Sequence, residues 1–292
     1  MKYCSNYKMN VILAAFLLAI PATFAQSQGT QQQPTQPAPA QAPSQKPSSP
    51  QAAPLTLDSA PPPVSAEEDA AIKAFRESMK ERDANNMEKL GEAFVQKYPE
   101  SHYRVEVYSM LVRGYYSSGQ VDKMEAAGDK ELALQPNDPQ TLALVGSTLP
   151  RAMNASTPDP QKRLAKSEQY CQKALDLLPT QVKPETMSDE VFLNAKNETA
   201  AMAHSGLGLV AFRRGKYTDA IPHLEQSVKL DSQPDPVDYY LLGISNEKAS
   251  HFDDAVAAFT KCAAIPGGLQ TTCTQDIEAA KKLAATQLSA PK

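Results

Sequence analysis

The amino-acid sequence predicts an all-α fold, a solenoid of about five helix hairpins closed by a C-terminal capping helix. Three observations carry this expectation. Helix-start signals recur from Ser65 onward, no run of alternating apolar and polar residues marks a strand, and an apolar pattern repeats about every 35 residues toward the C-terminus.

The first element is a leader. Lys2 and Lys8 precede an unbroken apolar run at residues 11–20 (VILAAFLLAI), Pro21 breaks it, and Thr23-Phe24-Ala25 ends in a small residue. That run is about half of the roughly 20 apolar residues that span a bilayer as a helix. Residues 1–25 therefore read as a signal peptide cleaved after Ala25, which leaves no integral membrane segment and puts the mature chain in the periplasm or otherwise outside the cytoplasm. Residues 26–64 are mostly Gln, Pro, Ala and Ser, with Lys46 and Asp58 their only charges. Such a stretch buries too little apolar surface to offset its chain entropy, and its prolines favour an extended, disordered spacer.

The helical domain is expected over residues 65–288. Ser65-Ala66-Glu67-Glu68 has the form of a capping box. Asp138-Pro139, Asp159-Pro160 and Asp235-Pro236 each place an N-cap Asp before a Pro suited to a first turn. Ser188-Asp189-Glu190 opens with an acidic first turn that complements the helix dipole. Residues 188–214 read as one helix about twice the usual repeat length, and residues 276–288 as a last amphipathic helix.

The repeat is clearest at residues 201–234 and 236–269. In the first, Leu207-Gly208 supplies a small pair, Gly215 a turn, and Ala220, Leu224 and Val228 a buried second-helix face. In the second, Tyr239, Leu242 and Gly243 precede Ala255, Phe259 and Ala263, and Pro266 closes the unit. Upstream, Tyr108, Leu111, Tyr115 and Gly119 keep the order, although Met124 stands where a small residue is expected. Leu142, Val145, Gly146, Cys171 and Ala174 form a further unit with a longer turn around residues 153–160. These residues resemble the tetratricopeptide-repeat family.

The resemblance implies a right-handed superhelical solenoid whose first helices line a concave groove. It implies a non-enzymatic scaffold that binds a peptide or protein partner there, with a structural subunit of an envelope assembly or secretion complex as the alternative. The inward positions would be Arg113, Tyr116, Arg151, Phe212, Arg213, Tyr240, Glu247 and Lys248. Arg151, Arg213 and Lys248 fall at one repeat position in three consecutive units, a basic ladder suited to an acidic or extended peptide. Ordinary solvated helix residues are the competing reading.

Composition excludes other classes. The formal net charge is −4, against nucleic acid as a partner. No phosphate-binding glycine loop, Gly-x-Ser-x-Gly turn or His-Glu-x-x-His appears. His204 falls at a packed position and His223 at an exposed one, neither spaced with another His for a metal, so no metal or cofactor is expected. Cys171 reads as a buried small hydrophobe. Cys262 and Cys273 flank Pro266-Gly267-Gly268, where a bridge would join two helix ends in an oxidising compartment.

Overall fold

The structure is a computed structural model that describes residues 65–81 and 83–289; the expected leader and spacer, residues 1–25 and 26–64, lie outside the described residues. Its helices follow in chain order as α1 (Ala66–Glu81), α2 (Ala84–Lys97), α3 (Arg104–Ser117), α4 (Val121–Leu134), α5 (Pro139–Arg151) and α6 (Pro160–Leu177). A 3-10 turn at Leu178–Thr180 leads to α7 (Asp189–Arg213), α8 (Tyr217–Leu230), α9 (Pro236–Lys248), α10 (Phe252–Ala263) and α11 (Gln270–Ser289). Five consecutive hairpins, α1–α2 to α9–α10, and a final helix match the all-α reading.

Local chemistry explains several helix starts. Ser65 Oγ accepts from the Glu68 amide at 3.1 Å, Asp138 Oδ1 from the Gln140 amide at 2.8 Å, and Asp235 Oδ1 from the Val237 amide at 2.9 Å. Ser188 Oγ accepts from the Val191 amide at the head of α7. Asp159 departs from its expected role: it is left-handed, at φ 44° and ψ 57°, and its side chain caps nothing. The long α5–α6 turn leaves α6 to begin on the fixed φ of Pro160 instead.

Three hairpin turns share one closure. In the α7–α8 turn the Lys216 amide donates to the Ala211 carbonyl and the Gly215 amide to the Phe212 carbonyl. This is the Schellman pattern, which needs a left-handed residue between the helices. Gly119 and Gly215 supply it at φ 71° and 72°, and Ser250 takes the equivalent place in the α9–α10 turn at φ 64°.

The core runs along the stack as successive apolar clusters. Ile72, Phe75, Leu111 and Met124 fill its first part, and Leu224, Phe259 and Ala280 its last. A β-carbon on Gly208 would lie 2.7 Å from Leu224 Cγ, and one on Gly243 would lie 2.5 Å from Phe259 Cε1. Only glycine allows paired helices this close. Met124, expected to be small, is fully buried, and the close approach moves one turn on to Gly128, against Val145 of α5.

Helix α7 has 25 residues, about 37 Å of rise. Its C-terminal half is buried by α5, α6 and α8, whereas Val191 and Leu193 near its start are exposed. At the other end, the sulfurs of Cys262 and Cys273 are bonded, with 6.0 Å between their Cα atoms. That bridge joins the end of α10 to the first turn of α11. Among the described residues, no helix is long and apolar enough to cross a membrane.

Candidate partner-binding face

The eight residues expected to line a groove fall on α3, α5, α7 and α9, the first helices of the second to fifth hairpins. They do not form the basic ladder. Arg151, at the last turn of α5, directs its guanidinium into the protein. Its Nη1 donates to Asp235 Oδ2 at 3.0 Å and its Nη2 to Asp238 Oδ1 at 2.8 Å and to Ser205 Oγ. Asp238 is 3% exposed, and it also accepts from Ser205 Oγ at 2.8 Å and Ser227 Oγ at 2.7 Å. Burial pulls the Arg151 pKa down, but the charges of Asp238 and Asp235 outweigh it and hold the guanidinium above its ordinary value.

This network corrects the reading of Arg151 as a free groove cation. A buried carboxylate demands a paired charge and donors for its remaining lone pairs, and Arg151 with two serines meets that demand. The sequence shows Asp235 as a helix cap. It gives no sign that Asp238, one turn later, takes an arginine 87 residues upstream. The available signal was two serines and an aspartate at helix positions that the repeat elsewhere fills with small or apolar residues.

The other two rungs differ from one another. Arg213 Nη2 donates to the Met153 carbonyl at 3.1 Å, which ties the long α5–α6 turn to α7, and burial lowers the Arg213 pKa. Lys248 is exposed and lies 3.9 Å from Glu247. Arg113 Nη2 donates to Gln140 Oε1 at 2.8 Å across α3 and α5, and Tyr116 is 39% exposed. Phe212 stands edge-on to Tyr217, with centroids 5.4 Å apart, and Tyr240 leans on Phe259 at 6.0 Å. Both are half-buried.

Elsewhere, an open cleft of about 810 Å³ lies beside the α5–α6 turn, lined by Asp122, Glu125, Asp159, Lys162, Arg163 and Lys166. Asp122, Glu125, Arg163 and Lys166 are spent on one another and on Asp129. Arg163 Nη2 is 2.9 Å from Glu125 and Lys166 Nζ is 2.7 Å from both Glu125 and Asp129. These pairs clamp α4 to α6. Cys171 is fully buried and burial pushes its thiol up to about 12, as suits a packing residue. The histidine reading needs correction: His223 is half-buried, and its Nδ1 lies 3.1 Å from His204 Nδ1.

No protein-family model matches the sequence, and no curated protein matches it. Among solved structures the chain is similar to MamA, at 17% identity and TM-score 0.48, over 68% of this chain and 90% of that one. It is similar to PilW, described as a widely conserved type IV pilus biogenesis factor, at 16% identity and TM-score 0.48, over 76% and 92%. It is also similar to TTC0263, a thermophilic TPR protein of Thermus thermophilus, at 16% identity and TM-score 0.42, over 76% and 99%. The architecture itself rests on the helix hairpins of this chain.

Proposed function

We propose that this chain is a tetratricopeptide-like scaffold of the bacterial cell envelope, without catalytic activity, that holds a peptide or protein partner on the face formed by α3, α5, α7 and α9. The observation that carries the reading is the stack of five hairpins, which repeats one helix face side by side. On that face Arg113 and the exposed ring of Tyr116 are of the types enriched at protein interfaces, and Lys248 adds an exposed charge at the rim. With Arg151 committed internally, the face suits a mixed polar and aromatic partner surface better than a strongly acidic peptide. The leader at residues 1–25 and the bonded Cys262–Cys273 pair support export to an oxidising compartment. Residues 26–64 would then be a spacer between the domain and whatever holds the N-terminus.

Cross-linking in the native cell followed by mass spectrometry, on the wild type and on an Arg113→Glu, Tyr116→Ala, Lys248→Glu variant, tests the reading. Partners should cross-link to the wild type and be lost from the variant while its helix content is unchanged. An unchanged partner set would sink it. A second reading, a structural subunit of an envelope assembly or secretion complex, is favoured by the start of α7, where Val191 and Leu193 are 54% and 57% exposed. Light scattering after size exclusion separates the two, because a subunit would give a fixed oligomer and an adaptor a monomer.

A further inference from the structure

His204 on α7 and His223 on α8 face each other within the fourth hairpin, with ring centroids 5.4 Å apart and Nδ1 atoms 3.1 Å apart. The helix spacing there is fixed by packing: Gly208, one turn after His204, lies against Leu224, the neighbour of His223. The backbone positions of the two histidines are therefore held at a fixed spacing, and both rings remain partly exposed to solvent. Zinc–imidazole bonds are about 2.0–2.1 Å long, so two nitrogens on one metal stand about 2.9 Å apart at a right angle and about 3.3 Å apart at a tetrahedral one. The observed separation falls between these limits, so the two nitrogens need not move apart or together to share one metal.

We infer that His204 and His223 form a two-imidazole binding site for a borderline divalent transition metal such as Zn2+. Among the described residues, no group of three or more His, Cys, Asp or Glu is placed to hold a metal, so the chain supplies two ligands and water completes the shell. Asp219, exposed one turn before His223 on α8, is the carboxylate that His223 feels electrostatically. At the observed Nδ1 separation one neutral imidazole can donate its Nδ1 proton to the other. The proton shared between the Nδ1 atoms moves to the outward Nε2 of its own ring, so binding releases no net proton. Such a metal would bridge α7 to α8 beside the buried half of the long helix, with coordination positions left open toward solvent.

The test is calorimetric titration of Zn2+ into the exported chain, purified without a histidine tag and with its disulfide intact. The expected result is one Zn2+ per chain, at least tenfold weaker binding in His204→Ala and in His223→Ala, and unchanged binding in the His102→Ala, His251→Ala double variant. Absence of binding to the wild type, undiminished binding in both single variants, or loss in the double variant overturns the inference. Should either single variant fail to fold, histidine ring resonances of the wild type decide. Zn2+ should displace two of the four sets, and displacement of none or of all four equally would reject the site.

Discussion

Arg151 Nη2 lies 2.8 Å from Asp238 Oδ1, and this contact ties the third hairpin to the fifth across α7. Helix arrays usually hold together by nearest-neighbour packing, so a charge pair that skips a hairpin couples units that would otherwise melt separately. Asp238 is buried, so removing Arg151 leaves a carboxylate with only two hydroxyl donors. Breaking a buried pair from one side costs about 3–5 kcal/mol, and the partial exposure of Arg151 puts Arg151→Met at the lower end, about 3 kcal/mol. Urea unfolding should show the lost stability with a broader transition. The Arg151→Met, Asp238→Asn double variant should lose much less than the sum of the singles. A stable Arg151→Met protein would return Arg151 to the groove.

The architecture was legible because it depends on short-range signals. Gly208 and Gly243, Ala220 and Ala255, and the caps at Ser65, Asp138, Ser188 and Asp235 each act within one turn or one hairpin. The internal chemistry was not. Arg151 with Asp238, and His204 with His223, meet only once α7 packs against its neighbours, and no spacing rule links residues 87 and 19 apart. Asp159 misled for a local reason: an Asp before a Pro scores as a cap, yet the long turn leading into it imposes a left-handed backbone.

Ser250 occupies a left-handed position that two sibling turns assign to Gly119 and Gly215. A side chain there costs about 1–2 kcal/mol, while glycine loses more chain entropy on folding. The balance favours Ser250→Gly by about 0.5–1 kcal/mol. Gly215→Ser should destabilise by a similar amount. Thermal unfolding of the two variants, measured at one pH and with the disulfide intact, reads both signs.

Glu131 is fully buried on α4, where Thr141 Oγ1 donates to its Oε2 at 2.7 Å and its Oε1 has no hydrogen-bond partner among the described residues. Burial is the main reason that its pKa rises to about 8; the Thr141 hydrogen bond opposes this, and Asp138 adds to it. The folded chain thus holds a proton that the unfolded chain loses near pH 4.5, so stability falls as pH rises from there to about 8. The steepest slope is about 1.4 kcal/mol per pH unit. Burial lowers the His204 pKa to about 4, which gives the opposite slope below pH 6.5. The diagnostic window is therefore pH 6.5 to 8. There, Glu131→Gln should flatten the decline and exceed the wild type in stability at the upper end.

The bond between Cys262 and Cys273 closes a short loop around the α10–α11 turn. The terminal helix has a neighbour on one side only. Phe259 and Ala280 are buried at that junction, but much of α11 is exposed, so packing alone holds it weakly. A cross-link over this loop restricts the unfolded ensemble by about 3 kcal/mol on chain-entropy grounds. Because the constraint is local, its loss should appear first as opening of α11 and only afterwards as global unfolding. Hydrogen exchange of a Cys262→Ser, Cys273→Ser variant should show faster exchange in α11 and α10, with α1 to α6 unchanged. Acceleration spread evenly from α1 to α11 would mean that the repeat array unfolds as one cooperative unit and that the bridge stabilises all of it.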